Sequence, residues 1–356
     1  MNENLKKLQQ QLPENCDAVL IESDVNRRYY TNMASSAGTL LVTRDHAALI
    51  IDFRYYEKAK QTVSGCDVIL QGKLFEQMAD IFSRCGVKSI AVESERMTVS
   101  RLEKLKSQFP ELSFVTSGLD EVINRHRMVK SAAELDIMRS AQAVTDKAFA
   151  ELLNFIKKGR TEREVKNELE RLLMHFGGEG LAFETISVSG KNSSMPHGKP
   201  TDKALEDGDF LTLDFGATKN GYCSDMTRTV AIGFVSDEQR IVYDTVLQAQ
   251  LRALDIIKAG VKCSDIDFAA RDFIEREKGY KGCFGHGLGH SLGLEIHEEP
   301  RFSPLCDHIT QQGNILSVEP GIYLEGKFGV RIEDVVIISE NGYENITRSP
   351  KDLIIL

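Results

Sequence analysis

Short apolar runs rich in Val, Ile and Leu recur through the first third of the chain. They fall at residues 17–21, 38–43, 47–52, 67–71, 89–94 and 113–118. Branched apolar residues in runs this short predict strands. Stretches with helical spacing fit between them at 54–62, 73–84 and 98–108. Strand and helix in alternation predict an α/β layer domain.

The pattern then changes period. Leu135, Met138, Ala141, Val144, Ala148, Leu152 and Ile156 follow one another at three- and four-residue steps. This spacing predicts one helix over 132–158, closed by Gly159 as its C-terminal cap. Thr161-x-x-Glu164 reads as a capping box that opens the next helix. We place a domain boundary near residue 122, giving domains 1–122 and 123–356. The second domain repeats itself at an offset of 101 residues. Leu153, Ile156, Gly159, Val165 and Gly178 meet Leu254, Ile257, Gly260, Ile266 and Gly279. A duplicated helix–glycine–helix unit is expected, with a site in the cleft between its copies.

Composition narrows the classes. Of 356 residues, 42% are apolar and 27% charged, ample for two ordinary cores. The net charge of −9 comes with no basic face, so nucleic acid is not an expected partner. No apolar run approaches the ~20 residues that span a bilayer. The opening MNENLKKLQQQLPENC lacks the apolar core of an export signal, so a cytoplasmic protein without membrane partners is expected. Seven widely spaced cysteines without a C-x-x-C read as free thiols in a reducing compartment.

The chemistry concentrates late in the chain. GHGLGHSLGLEIHEEP, 285–300, holds three of the eight histidines: His286, His290 and His297. Its glycines at 285, 287 and 289 suit tight backbone turns. Upstream, two strand-like runs flank Asn220-Gly221, a strong two-residue hairpin signal. With those residues as the turn, Lys219 faces Tyr222 and Asp214 faces Thr227. Asp225 then lies diagonal to Asp214 on the same face, within reach of a shared ion. Glu319 ends the apolar run ILSVEPGIY, and Glu333 interrupts GVRIEDVVIIS. An acid inside such runs is paired, metal-bound or turned to solvent. The competing readings are solvent-face aspartates and a salt bridge between Glu333 and Arg331. Four carboxylates with a histidine make an oxygen-rich, thiolate-free set. Two divalent cations would neutralise it, and Mn²⁺ fits best among catalytic ions.

The motif order resembles that of the pita-bread metallopeptidases, in the Xaa-Pro aminopeptidase and prolidase (Xaa-Pro dipeptidase) branch. SGKNSSMPHGKP carries His197, LTLDFGA carries Asp214 and YCSDMTRT carries Asp225. HGLGHSLGLEIHE, SVEPGIY and VRIEDVV carry the remaining candidates, and IDFRYYEKA at 51–59 extends the likeness to the N-terminal part. The resemblance implies a creatinase/prolidase-like α/β domain followed by an α+β pita-bread catalytic domain with a pseudo-twofold internal repeat. It implies a metal-dependent exopeptidase that cleaves the bond before proline through hydroxide activated by two metal ions. Asp214 would hold one ion, His290 with Glu319 the other, and Asp225 and Glu333 would bridge both. The ions would be Mn²⁺, with Co²⁺ or Zn²⁺ as alternatives. His197 and His297 would contact substrate and stabilise the tetrahedral intermediate, and Glu319 would relay a proton. His286 would line the proline pocket, and Arg331 would support a bridging carboxylate or bind substrate. The resemblance also implies a homodimer, and it covers aminopeptidases and dipeptidases alike. Methionine aminopeptidases share the second domain but usually lack one like the first. Non-catalytic relatives typically lose metal ligands, whereas all five are present here.

Overall fold

A computed structural model describes residues 3–356 of the chain. The chain forms two compact units, one ending at Arg127 and the other spanning Met128–Leu356.

The first unit is built on a six-stranded sheet. Its order is Asp67–Leu70, Ala47–Ile51, Thr39–Thr43, Ala18–Ile21, Ser89–Val92, Ser113–Val115. The three consecutive strands from Ala18 to Ile51 pair antiparallel, and the outer pairings are parallel. Every residue of Ala18–Ile21, Thr39–Thr43 and Ala47–Ile51 is buried, as expected where both sheet faces are covered. The helices Phe53–Thr62, Leu74–Cys85 and Val99–Gln108 fall where the pattern put them. The helix Asp24–Thr31 escaped the pattern because its buried face is polar. Arg27 on that face is 1% exposed, and its guanidinium donates to the carbonyls of Glu22, Ser35 and Gly38.

In the second unit the duplication is visible in backbone geometry. Helices Ala132–Leu152 and Asp237–Ile256 both start from capping boxes, on Ser131 and Ser236. Gly159 and Gly260 follow at φ 86° and 89°. Their N–H groups donate to Leu205 O at 2.9 Å and Thr310 O at 2.8 Å. The next helices start 101 residues apart, at Glu162 and Cys263. Each copy then contributes a sheet. The first is Ile186–Ser189, Phe210–Phe215, Met226–Ala231; the second is five-stranded and includes Gly289–Ser291, Ile315–Val318 and Asp334–Ile338. Each copy centres on an apolar cluster, one around Leu169, Leu213 and Phe215, the other around Val246, Phe284 and Ile332, which Phe210 and Ala231 of the first copy's strands also join.

Two details depart from expectation. The first long helix ends at Leu152, not near 158. The Phe155 N–H turns back to Leu152 O at 2.8 Å, tightening the chain and turning Ile156 into the core. The second glycine break also slips. Gly279 has a positive φ of 80°, but its counterpart in the first copy is Gly177 at 98°, not Gly178.

Candidate active site

The hairpin forms in the expected register. Asn220 and Gly221 take φ values of 46° and 78°, the two left-handed residues that a type I′ turn requires. Lys219 pairs with Tyr222 and Asp214 with Thr227. Asp214 and Asp225 thus both reach one cavity of about 700 Å³. The second copy brings its own carboxylates there on adjacent strands. Glu319 follows the strand Ile315–Val318, and Glu333 precedes its partner strand Asp334–Ile338. All the residues singled out from the sequence line this cavity: His197, Asp214, Asp225, His286, His290, His297, Glu319, Arg331 and Glu333.

The glycines of GHGLGHSLG act differently from expectation. None of Gly285, Gly287 and Gly289 takes a positive φ. Gly289 is required instead by close approach, since a Cβ there would lie 1.9 Å from the carbonyl oxygen of Ser317. Only a strand without a side chain at that point can bring His290 over Glu319.

At the floor of the cavity, ligand atoms of Asp225, His290 and Glu333 lie within 4.8 Å of one another. The His290 Nδ1 is 3.2 Å from the Ser291 carbonyl. A carbonyl only accepts, so Nδ1 carries the proton and Nε2 presents a lone pair. That lone pair faces two carboxylates, Glu319 Oε1 at 3.3 Å and Asp225 Oδ2 at 3.7 Å. Asp225 Oδ1 and Glu333 Oε1 are buried without a hydrogen-bond partner. Acceptors converge here with too few donors, an arrangement that a cation resolves and a hydrogen-bonded core does not. The donor set therefore fits divalent metal ions. Burial, then repulsion from neighbouring acids, raises the carboxyls of Asp225 and Glu333 well above their ordinary range. Burial pushes Glu319 up to about 7, against the opposing pull of the Arg331 charge.

Arg331 supplies the positive charge that protein side chains bring to this floor. Its Nη2 donates to Asp214 Oδ2 at 2.5 Å and its Nε to Thr227 Oγ1 at 3.0 Å. The Thr227 hydroxyl in turn donates to Glu333 Oε2 at 2.7 Å. Arg331 therefore reaches Glu333 through Thr227, and its ion pair is with Asp214. The Glu333 backbone is fixed from behind, its carbonyl accepting from Arg228, which also pairs with Asp334 at 2.8 Å. A second arm of Arg331 donates from Nη1 to the Tyr323 hydroxyl at 2.8 Å. His286 holds its Nδ1 proton against Gly287 O at 2.8 Å, so its Nε2 accepts from Tyr323 at 3.0 Å. Asp214, Arg331, Tyr323 and His286 form one oriented chain. Tyr323, Thr227 and Ser317, which donates to Glu319 Oε1 at 3.0 Å, carried no signal of their own in the sequence.

Around this floor the cavity has an apolar side, with Phe183, Ile186 and Ile296, and an imidazole rim. His197 and His297 are exposed, unlike the buried acids below them. The His297 ring stands edge-on to His290, centroids 4.4 Å apart. Although the residue is exposed, the part of its ring packed against His290 is desolvated, and this, then the proximity of His290, lowers His297 to about 4, so it is neutral and keeps an N–H to donate. The other four histidines, at 46, 126, 175 and 308, lie outside the cavity lining.

Excess anionic charge that cations must neutralise, set beneath imidazoles that can donate hydrogen bonds in an open cavity, defines a metallohydrolase. Family comparison gives that class a lineage. Residues 136–340 match the description Metallopeptidase family M24, and residues 4–129 match the Creatinase/Prolidase N-terminal domain. The chain belongs to metallopeptidase family M24. It is 42% identical over 341 residues to an uncharacterised peptidase of Bacillus subtilis, covering 96% of each chain. An Xaa-Pro dipeptidase structure from Bacillus anthracis superposes with a TM-score of 0.96 at 39% identity, over 99% of each chain. An X-Pro aminopeptidase structure from Thermotoga maritima gives a TM-score of 0.91 at 39% identity, over 98% of this chain and 99% of that one. Among the described residues no helix is long and apolar enough to cross a membrane.

Proposed function

We propose that this chain is a metal-dependent exopeptidase that hydrolyses the peptide bond before proline in short peptides. The observation that carries this reading is the pair of buried carboxylate oxygens without partners, Asp225 Oδ1 and Glu333 Oε1, beside the unprotonated Nε2 of His290. Two divalent cations, Mn²⁺ by the chemistry of the donors, would be held by Asp214, Asp225, His290, Glu319 and Glu333. When bound, such ions supply Lewis-acid polarisation of the scissile carbonyl and activation of water.

The remaining work falls to the chain's own groups. Glu319, which lines the cavity beside His290, is placed to take a proton at its carboxylate and return it to the leaving amine. His197 and His297 donate to the carbonyl oxygen as negative charge develops on it. His286, fixed by Tyr323, gives the proline subsite a neutral wall. Arg331 holds Asp214 in place and keeps a positive charge beneath the substrate. The names of the relatives support both an Xaa-Pro dipeptidase and an X-Pro aminopeptidase. Assays of Xaa-Pro against Xaa-Pro-Xaa peptides in Mn²⁺ separate the two. Activity that survives exhaustive chelation without added metal would defeat the proposal altogether.

We extend the reading to a homodimer in a reducing cytoplasm. The cavity is lined only from the second unit, which leaves the first unit available for assembly and substrate selection. Among the described residues no cysteine forms a disulfide. Sedimentation that gives only monomer at working concentrations would count against the dimer.

A further inference from the structure

His197 sits on a long loop whose only regular element is the short 3₁₀ turn Gly190–Ser194. The loop leaves the sheet at Ser189, the last residue of the strand Ile186–Ser189, and comes back beside Glu162 at Thr201. Both ends converge on one side chain. Glu162, the first residue of the helix Glu162–His175, is 0% exposed. Its Oε1 accepts from the Ser189 N–H at 2.6 Å, the Ser189 hydroxyl at 2.9 Å and the Asn192 amide at 3.1 Å. Its Oε2 accepts from the Thr201 N–H at 2.9 Å and the Thr201 hydroxyl at 2.7 Å. One carboxylate thus closes the base of the loop. A buried charge is tolerated only while its donors stay in place, so Glu162 resists any spreading of the two ends.

The loop also bears on the site from its other side. The Gly329 N–H donates to the Ser193 hydroxyl at 2.9 Å, docking the 3₁₀ turn on the strand Phe328–Arg331. The Pro196 carbonyl, next to His197, lies 3.4 Å from Arg331 Nη1. A shift at the base would therefore move His197 relative to Arg331.

The duplication supplies a control. The second copy starts its equivalent helix at Cys263, 101 residues on, with no carboxylate there. That helix still begins after a positive-φ glycine and still pairs backbone with a neighbouring segment, Cys263 N–H to His308 O at 2.9 Å. The scaffold thus does not itself demand an acid at this position. The acid appears in the copy whose loop carries His197.

We propose that Glu162 is a positioning residue, which fixes the loop 189–201 and through it the His197 imidazole above the cavity floor. The proposal rests on the transition-state role assigned to His197. It is tested by measuring kcat, KM, metal content and melting temperature for Glu162→Gln, His197→Ala and the double variant, in Mn²⁺ with an Xaa-Pro peptide. Glu162→Gln keeps the carbon skeleton but puts an amide where a carboxylate oxygen met donors. It should lower kcat by about 10–100-fold, the range for residues that orient site groups, with metal content unchanged and little change in KM. On the His197→Ala background the same change should cost less than about twofold, because the group it positions is gone. Losses that multiply fully in the double variant would overturn the proposal, as would an unimpaired Glu162→Gln. If His197→Ala alone keeps full kcat, the role of His197 fails first and the proposal with it. Should Glu162→Gln not fold, Thr201→Ala removes one donor and leaves the backbone bond. It should show the same dependence on His197 with a smaller loss, and a loss independent of His197 would again overturn the proposal.

Discussion

The floor and the rim of the cavity solve opposite electrostatic problems. On the floor, Asp225 and Glu333 are 3% and 1% exposed, and each keeps an oxygen without a partner. On the rim, His197 and His297 are exposed and His297 is neutral. A buried excess of acceptors stores a demand for positive charge, so the floor is built to bind ions. Exposed donors cost the fold little and, among the described residues, hold no hydrogen-bond partner in the resting state. They become valuable when an oxyanion appears above the floor. In the function proposed above, the site separates ion binding from transition-state stabilisation by depth.

The most severe way to break this division is at the floor. Asp225→Asn removes one anionic ligand and should lower kcat/KM by more than about 10³-fold, together with metal content. Elemental analysis beside a kinetic assay checks both, and a fully loaded, active Asp225→Asn would refute the assignment.

The next test contrasts floor and rim directly. His290→Ala should lose metal, whereas His297→Ala should keep its metal and lose roughly 10²–10³ in kcat with a smaller change in KM. Equal metal loss in the two variants would erase the distinction between the regions. A smaller effect belongs to the link between them. Tyr323→Phe removes the hydroxyl shared by Arg331 and His286. We expect a loss of about tenfold in kcat/KM with metal retained, measured by steady-state kinetics. An effect as large as that of Asp225→Asn would mean Tyr323 touches the reacting atoms.

The last test reads stability alone. From pH 6.5 upward the histidines lowered by the fold, His126, His286, His290, His297 and His308, are largely neutral in the folded chain, and in the unfolded chain they lose their remaining protons by about pH 7.5. The raised acids, Asp225, Glu333 and Glu319, hold more protons folded than unfolded as the pH climbs from 6.5. Stability of the metal-free chain therefore falls as pH rises through about 7. Below pH 6.5, His126, His286 and His297, each lowered to about 4, work the other way, because the unfolded chain takes up their protons first. Chelated protein should melt several degrees lower at pH 8 than at pH 6.5, and divalent metal should close the gap. A chelated protein equally stable at both values would show that the floor carries no such strain.

What the sequence disclosed follows from the same contrast. An acid in an apolar run is an anomaly, and Asp214, Asp225, Glu319 and Glu333 stood out for that reason. Asn220-Gly221 set the register because only the two-residue turn puts both at positive φ. The supporting groups announced nothing. Thr227 belongs in any strand, Tyr323 in any apolar run, and Glu162 in the acidic first turn of any helix. Their importance comes from long-range hydrogen bonds, such as Thr227 to Glu333 across 106 residues, which no local pattern encodes. The helix Asp24–Thr31 hid likewise, since its buried face is satisfied by polar contacts rather than by apolar residues.

The duplication has a mechanical consequence. The first copy provides Asp214 and Asp225, while His290, Glu319 and Glu333 come from the second. Each copy centres on a different apolar cluster, the two copies meeting where Phe210 and Ala231 join the second. A ligand that draws on both acts as a non-covalent rivet between two cores, so loading should merge them into a single cooperative unfolding block. In the chelated chain, amide exchange should separate the copies by protection, and in the loaded chain the strands Phe210–Phe215 and Ile315–Val318 should open together.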